Sequence, residues 1–177
     1  MLLFAVTGIT LNHAASIAAD PTVVERAAVL PPPLVRRLAP LPQATDAPLP
    51  RDVAAAVAAR VGLDPAGRAG EWSDTEVYVA LPRPGGDAWV SIDRASGAIK
   101  AETTDRGWIS YLNDLHKGRN AGTAWFWFID VFAGACIVFT LTGLLLLQLH
   151  ARHRPSTWPL VAAGLAGPAL IAVFLIH

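Results

Sequence analysis

The feature that most constrains this chain is the long apolar run Ala124–Leu149, AWFWFIDVFAGACIVFTLTGLLLLQL. As a helix it reaches roughly 39 Å, longer than the ~30 Å hydrocarbon core of a bilayer. Trp125 and Trp127 stand at one end, where indole rings favour the headgroup level. A second apolar run, Trp158–Ile176, contains Pro168 and several glycines. Membrane helices tolerate these residues better than soluble ones. The short loop between the two runs predicts an antiparallel hairpin. It carries Arg152 and Arg154, so the positive-inside rule places it in the cytoplasm. Residues before Thr123, and His177, then lie outside.

Charge is distributed to match. Of 14 basic and 14 acidic residues, only Asp130, Arg152 and Arg154 lie beyond Thr123. The charged fraction is 16%, against about a quarter in ordinary soluble domains. The net charge of zero and the lack of a basic run exclude a nucleic-acid reading. Cys136 is the single cysteine, so no intramolecular disulfide forms and a cysteine zinc site is disfavoured.

The N-terminal stretch, residues 1–17, is apolar but too short to cross a bilayer. It reads as a first transmembrane helix lacking its cytoplasmic half, or as a signal peptide cleaved near Ala18 or Ala19. Phe4-x-x-Thr7-Gly8-Ile9 echoes Phe139-x-x-Thr142-Gly143-Leu144, and Thr-Gly pairs let membrane helices approach closely. Residues 18–50 hold eight prolines within 20–50 and predict an extended, partly polyproline linker, or a proline-motif ligand.

Residues 51–104 carry the soluble module. In Arg51–Val61, Val53, Val57 and Val61 mark one helical face, with Gly62 as its stop. Glu76–Leu81, Ala88–Asp93 and Ala98–Glu102 predict three strands, with Pro82–Gly86 and Asp93–Gly97 as turns. The expected fold is therefore an α-helical membrane protein bearing a small α+β domain, one helix on a three-stranded antiparallel sheet. Residues 105–123 are a membrane-proximal segment, 124–149 and 158–177 the later transmembrane helices, and 150–157 the loop.

All five histidines fall near the expected membrane boundaries. His13 and His116 on the outer side present two imidazoles from different segments, the arrangement a b-type haem requires. His150 and His153 are three apart on one helix end and face the same way, so they cannot bracket one haem. Interfacial histidines with polar tips among headgroups are the plainer reading. A metal held by His13 and His116 is a further option. Asp130, alone among apolar residues, calls for a partner such as Lys117, Arg119 or His13. It serves either as a structural salt bridge or as a contact orienting an imidazole. Lys117 and Arg119 equally suit lipid phosphates. No metalloprotease, nucleophile-elbow, Walker or haem-attachment motif is present.

The helix, the V-Y-V-x-L strand and the W-V-x-I-D-x-x-x-G strand and turn together resemble the PepSY domain. Leu112–Arg119 (LNDLHKGR), Trp125, Ile129-Asp130 and Leu141-Thr142-Gly143-Leu144 are similar to the PepSY-associated transmembrane family. Thr7–His13 is similar to the end of that family's first helix. Asn120 stands where members often carry histidine. The resemblance implies a binding or inhibitory module in a bacterial inner membrane. It would act toward a peptidase, transport component, peptide or other envelope partner, and self-association is left open. It also offers an alternative: a haem-bearing electron-transfer subunit akin to ferric-siderophore reductases.

Overall fold

Three segments with alternating buried and exposed side chains determine the domain's centre. Val77 and Val79 in β3 (Glu76–Ala80), Ala88, Val90 and Ile92 in β4 (Gly86–Asp93), and Ile99 and Ala101 in β5 (Ala98–Asp105) all point to one side. Such two-residue periodicity buries one face of a sheet and leaves the other free. The covering layer is α3 (Arg51–Val61), whose Val53, Ala54, Val57 and Val61 are buried. Gly62 ends it in the left-handed conformation, φ 71°. In the computed structural model, residues 2–17, 20–42, 44, 46–150 and 156–175 are described. Arg152, His153, Arg154 and His177 therefore lie outside the described residues.

The sheet has five strands rather than the expected three, all antiparallel, in the order β1-β5-β4-β3-β2. One addition is β2 (Glu71–Trp72), paired with β3. The other is β1 (Thr22–Val29), which lies inside the stretch expected to be a linker. It pairs with β5 from Thr22↔Asp105 to Val29↔Ala98. The physical reason is local. Pro21 and Pro31 flank this segment but none interrupts it, so every residue within it keeps its N–H. As an edge strand it adds a row of hydrogen bonds to β5 without displacing anything.

The remaining proline-rich residues also belong to the domain. Helix α2 (Pro32–Val35) uses proline in its first turn, where no N–H is required, and a 3₁₀ turn follows at Arg36–Leu38. Leu30, Leu38 and Leu49 are buried in the same core as α3. Arg94 fastens this turn to the β2–β3 connection. Its guanidinium donates to the carbonyls of Leu38 (3.0 Å), Ala39 (2.7 Å), Ser73 (2.7 Å) and Asp74 (3.0 Å).

Helix α1 (Leu2–Asn12) is apolar and short, whereas α5 (Gly122–His150, 29 residues) and α6 (Thr157–Phe174, 18 residues) are long and apolar enough to cross a membrane. Neither long helix contains a buried residue. Thr140 and Thr142 return their hydroxyls to carbonyls of their own helix, Cys136 for the first and Val138 and Phe139 for the second. Each hydroxyl thus has a partner within its own helix. Helix α6 continues through Pro168. The chain divides into two compact units, Met1–Trp127 and Phe128–His177, the boundary falling within α5.

The β4–β5 turn contains a pH-sensitive cap. Asp93 Oδ1 accepts from the backbone N–H and hydroxyl of Ser96, both at 2.7 Å, and from Ala95 N–H at 3.2 Å. The Ser96 bonds hold the Asp93 carboxyl below the usual aspartate range. A lowered folded-state pKa contributes stability above the ordinary carboxylate range, and that contribution is lost as pH falls through the folded value. Acid titration of the domain's unfolding midpoint should therefore show a loss that is smaller in Asp93→Asn. An unchanged acid limb in that variant would show that the cap does not contribute.

Candidate functional site

The segment that joins sheet to apolar helices is α4 (Gly107–Lys117), spelled GWISYLNDLHK. Asn113 and His116 are three apart and share one face, while Asp114 turns to another. Gly118 closes the helix with φ 68°, and its N–H and that of Arg119 cap the last carbonyls.

The Asn113–His116 face lies along α1. Thr7 Oγ1 is 2.7 Å from His116 Nδ1, and Thr10 Oγ1 is 2.8 Å from the Asn113 amide oxygen. Thr7 thus opposes residue 116 and Thr10 opposes residue 113, which makes the pair of helices antiparallel. Thr7 and Asn113 are buried. Thr7 also lies 2.9 Å from Leu3 O, three to four residues back, where it gives its single proton. With that proton so placed, Thr7 Oγ1 accepts from His116 Nδ1–H. Thr10 likewise bonds Thr7 O at 2.9 Å, and an Asn113 amide turned to offer its NH₂ satisfies both partners. The Phe4 ring sits 5.2 Å from the imidazole, tilted 45°.

The opposite side of α4 holds the sheet. The tip of the β3–β4 hairpin presents Gly85, whose N–H donates to Asp114 Oδ2 at 2.8 Å and whose carbonyl accepts from Arg106 N–H at 2.9 Å. Gly85 has φ 73°, and a Cβ there would come within 2.8 Å of the Tyr111 backbone. Only glycine permits both the left-handed turn and this approach. Arg106 also pairs with Asp87, and Arg83 with Asp105 at 3.6 Å. All four side chains are solvent-exposed, so these pairs contribute little, about 0–1 kcal/mol each. At the other end, Trp125 in the first turn of α5 donates from Nε1 to Leu115 O at 2.8 Å.

The residues singled out in the sequence fall as follows. His116 is half-buried in the seam. His13 is exposed, its Nδ1 3.0 Å from Ile9 O. His150 is exposed, its Nδ1 2.9 Å from Leu146 O. Lys117 and Arg119 are exposed after the seam, and Asp130 is exposed on α5. His116 faces a cavity of ≈ 30 Å³ among Phe4, Thr7, Leu112, Leu115 and Trp125, and His13 is not part of its lining. Among the described residues, no group of three or more His, Cys, Asp or Glu side chains is placed to hold a metal ion.

In the sequence, Gly85 stood out only as part of the Pro82–Gly86 turn, Asn113 and Asp114 only within Leu112–Arg119, and Thr7 and Thr10 only within Thr7–His13 and the Thr7-Gly8 pair; none was assigned a contact. Their signal was present as the i, i+3 spacing of both the threonines and the Asn–His pair, which puts each couple on one helix face. Asn120 has φ 56°. Asparagine is among the few side chains that adopt this conformation readily, which gives a backbone reason for its place after the glycine cap.

Comparison with known proteins gives one family. The sequence model described as PepSY_TM-like matches residues 1–177. No curated protein and no solved structure matches the chain.

Two glycine substitutions separate the two sides of α4. At Gly8 an added Cβ would meet His116 Cε1 at 3.6 Å, an ordinary contact, so Gly8→Ala should leave stability within about 1 kcal/mol. Gly85→Ala strains the turn and collides with backbone, and should cost roughly 2 kcal/mol or more. Pulse proteolysis of the detergent-solubilised protein in denaturant reads both, and equal effects would contradict the assigned role of the hairpin tip.

Proposed function

The chain belongs to the PepSY_TM-like family, and from that premise we propose that it is a membrane-anchored PepSY protein presenting its sheet domain to an envelope partner. The observation that carries this reading is the way α4 is built. One of its faces holds the tip of the β3–β4 hairpin through Gly85, and only residues 118–121 separate it from α5. The folded module is thus followed directly along the chain by a helix long and apolar enough to span a bilayer. Such a construction presents a surface and needs no catalytic group.

In this reading Arg152 and Arg154 keep their loop in the cytoplasm, and the sheet domain lies on the extracytoplasmic side of the inner membrane. The α1–α4 seam then packs at the outer boundary of the lipid. Interhelical hydrogen bonds of Thr, Asn and His are a common glue between apolar helices there. Lys117 and Arg119, exposed after the seam, suit lipid phosphates. The module's open sheet face and unpaired edge strand are its candidate contact surfaces.

Two measurements test the reading. Protease added to intact spheroplasts should cut within the sheet domain, and cutting only after lysis would refute the orientation. A photo-crosslinking residue in place of Val23 on β1 should give a discrete adduct in intact cells, whereas one in place of Arg60 on α3 should not. Silence at every position of β1 and of the open sheet face would refute the presenting role. The purified protein is expected to be colourless in the Soret region. A stoichiometric band abolished by His13→Ala or His116→Ala would instead establish a haem protein.

A further inference from the structure

Strand β1 is an edge of unusual composition. Natural edges are blunted by lysine, proline, bulges or a covering segment. Here β1 runs for eight residues with neither lysine nor proline and pairs on one side only; its charges are Glu25 and Arg26, and Arg26 is turned to the α3 side, where it donates to Val61 O at 2.8 Å. Its valines are exposed on both faces of the sheet: Val23 50%, Val24 42% and Val29 62%. Seven of its eight positions are exposed.

Its charges are also incomplete. The register sets Glu25 directly opposite Glu102 on the open face. Like charges directly across a ladder are unfavourable. Among the described residues neither carboxylate belongs to an ion pair, whereas Asp87 and Asp105 on neighbouring strands do. Lys100, opposite Ala27 in the adjoining row, is the nearby cation on that face. Next in the Glu25–Glu102 row comes Trp89, stacked on Tyr78 with centroids 5.9 Å apart. A hollow of ≈ 510 Å³ lies just inside the edge, bounded by Glu25, Trp89, Lys100 and Glu102 among others. Burial and the carboxylates of Glu71, Asp87 and Glu102 push the Tyr78 hydroxyl's pKa upward, in keeping with a negative face.

We propose that the β1 edge takes an extended, lysine- or arginine-bearing segment of a partner protein as a sixth strand, with a basic side chain over Glu25 and Glu102. This deepens the presenting role proposed above and rests on it. A strand added to β1 places one residue opposite Glu25 on the same face, about 5 Å away. A cation there relieves the Glu25–Glu102 repulsion, and its long stem reaches into the hollow. Alternate apolar residues cover the exposed valines, while main-chain bonds to β1 supply affinity.

The test uses the full chain in detergent and two short synthetic peptides, one alternating valine with lysine and one alternating valine with glutamate. Calorimetry should show the lysine peptide binding more tightly. Glu25→Lys with Glu102→Lys should weaken it roughly tenfold or more and reverse the preference, with Glu25→Gln and Glu102→Gln falling between. An unaltered protease-cleavage pattern verifies that each variant is folded. Equal binding of both peptides, an unchanged affinity in the reversed variant, or peptide crosslinks mapping to β2 would overturn the inference. So would β1–β1 disulfides of Val23→Cys, which would make a second copy the occupant. In cells, a module adduct that persists in the reversed variant sinks this inference and leaves the presenting role standing. No adduct from the module at all sinks both.

Discussion

The two backbone groups of Gly85 are where the sheet and α4 meet. Its N–H goes to Asp114 and its carbonyl accepts from Arg106, so the hairpin tip is held against α4 by hydrogen bonds that need no side chain of its own. The carboxylate bond is charge-assisted and the stronger kind, roughly twice a neutral one. Because the glycine must be left-handed and must touch the Tyr111 backbone, the contact admits one residue type. The orientation of the sheet on α4 follows from this contact more than from the exposed ion pairs beside it.

The seam between α1 and α4 works by a different rule. Each hydrogen bond there contributes only about 0.5–1.5 kcal/mol net, yet a buried donor or acceptor left alone costs about 1–3 kcal/mol. Thr7 and Asn113 are buried and partnered. The seam therefore selects a register more than it adds stability. Sliding α1 by one residue would remove both pairs together, because Thr7–His116 and Thr10–Asn113 depend on the same three-residue spacing.

The domain's other economy is its proline-rich N-terminal part. Prolines at 21, 31, 32 and 33 bound β1 and open α2 rather than preventing structure. Leu30, Leu38 and Leu49 complete the core that three strands and one helix alone would leave open. The cost is an exposed eight-residue edge, and that edge gives the module its most distinctive surface.

Much of this was readable from periodicity. Val53, Val57 and Val61 fell on one face of a helix stopped by Gly62, and the alternation through Val77–Val79 and Val90–Ile92 predicted strands with one buried face. The apolar run after Ala124 predicted a long helix, and α5 is long and apolar enough to cross a membrane. Periodicity is local, so a short-range pattern sufficed for all of these. It did not reveal β1, whose side chains are exposed on both faces and carry no alternation. That strand exists because β5 offers it an unpaired ladder some seventy residues later, as the register shows. Nor did it reveal the α4 joint. Thr7, Thr10, Gly85, Asn113 and Asp114 acquire meaning only when segments distant in sequence meet, because a hydrogen bond depends on the position of both partners and the chain states them one at a time.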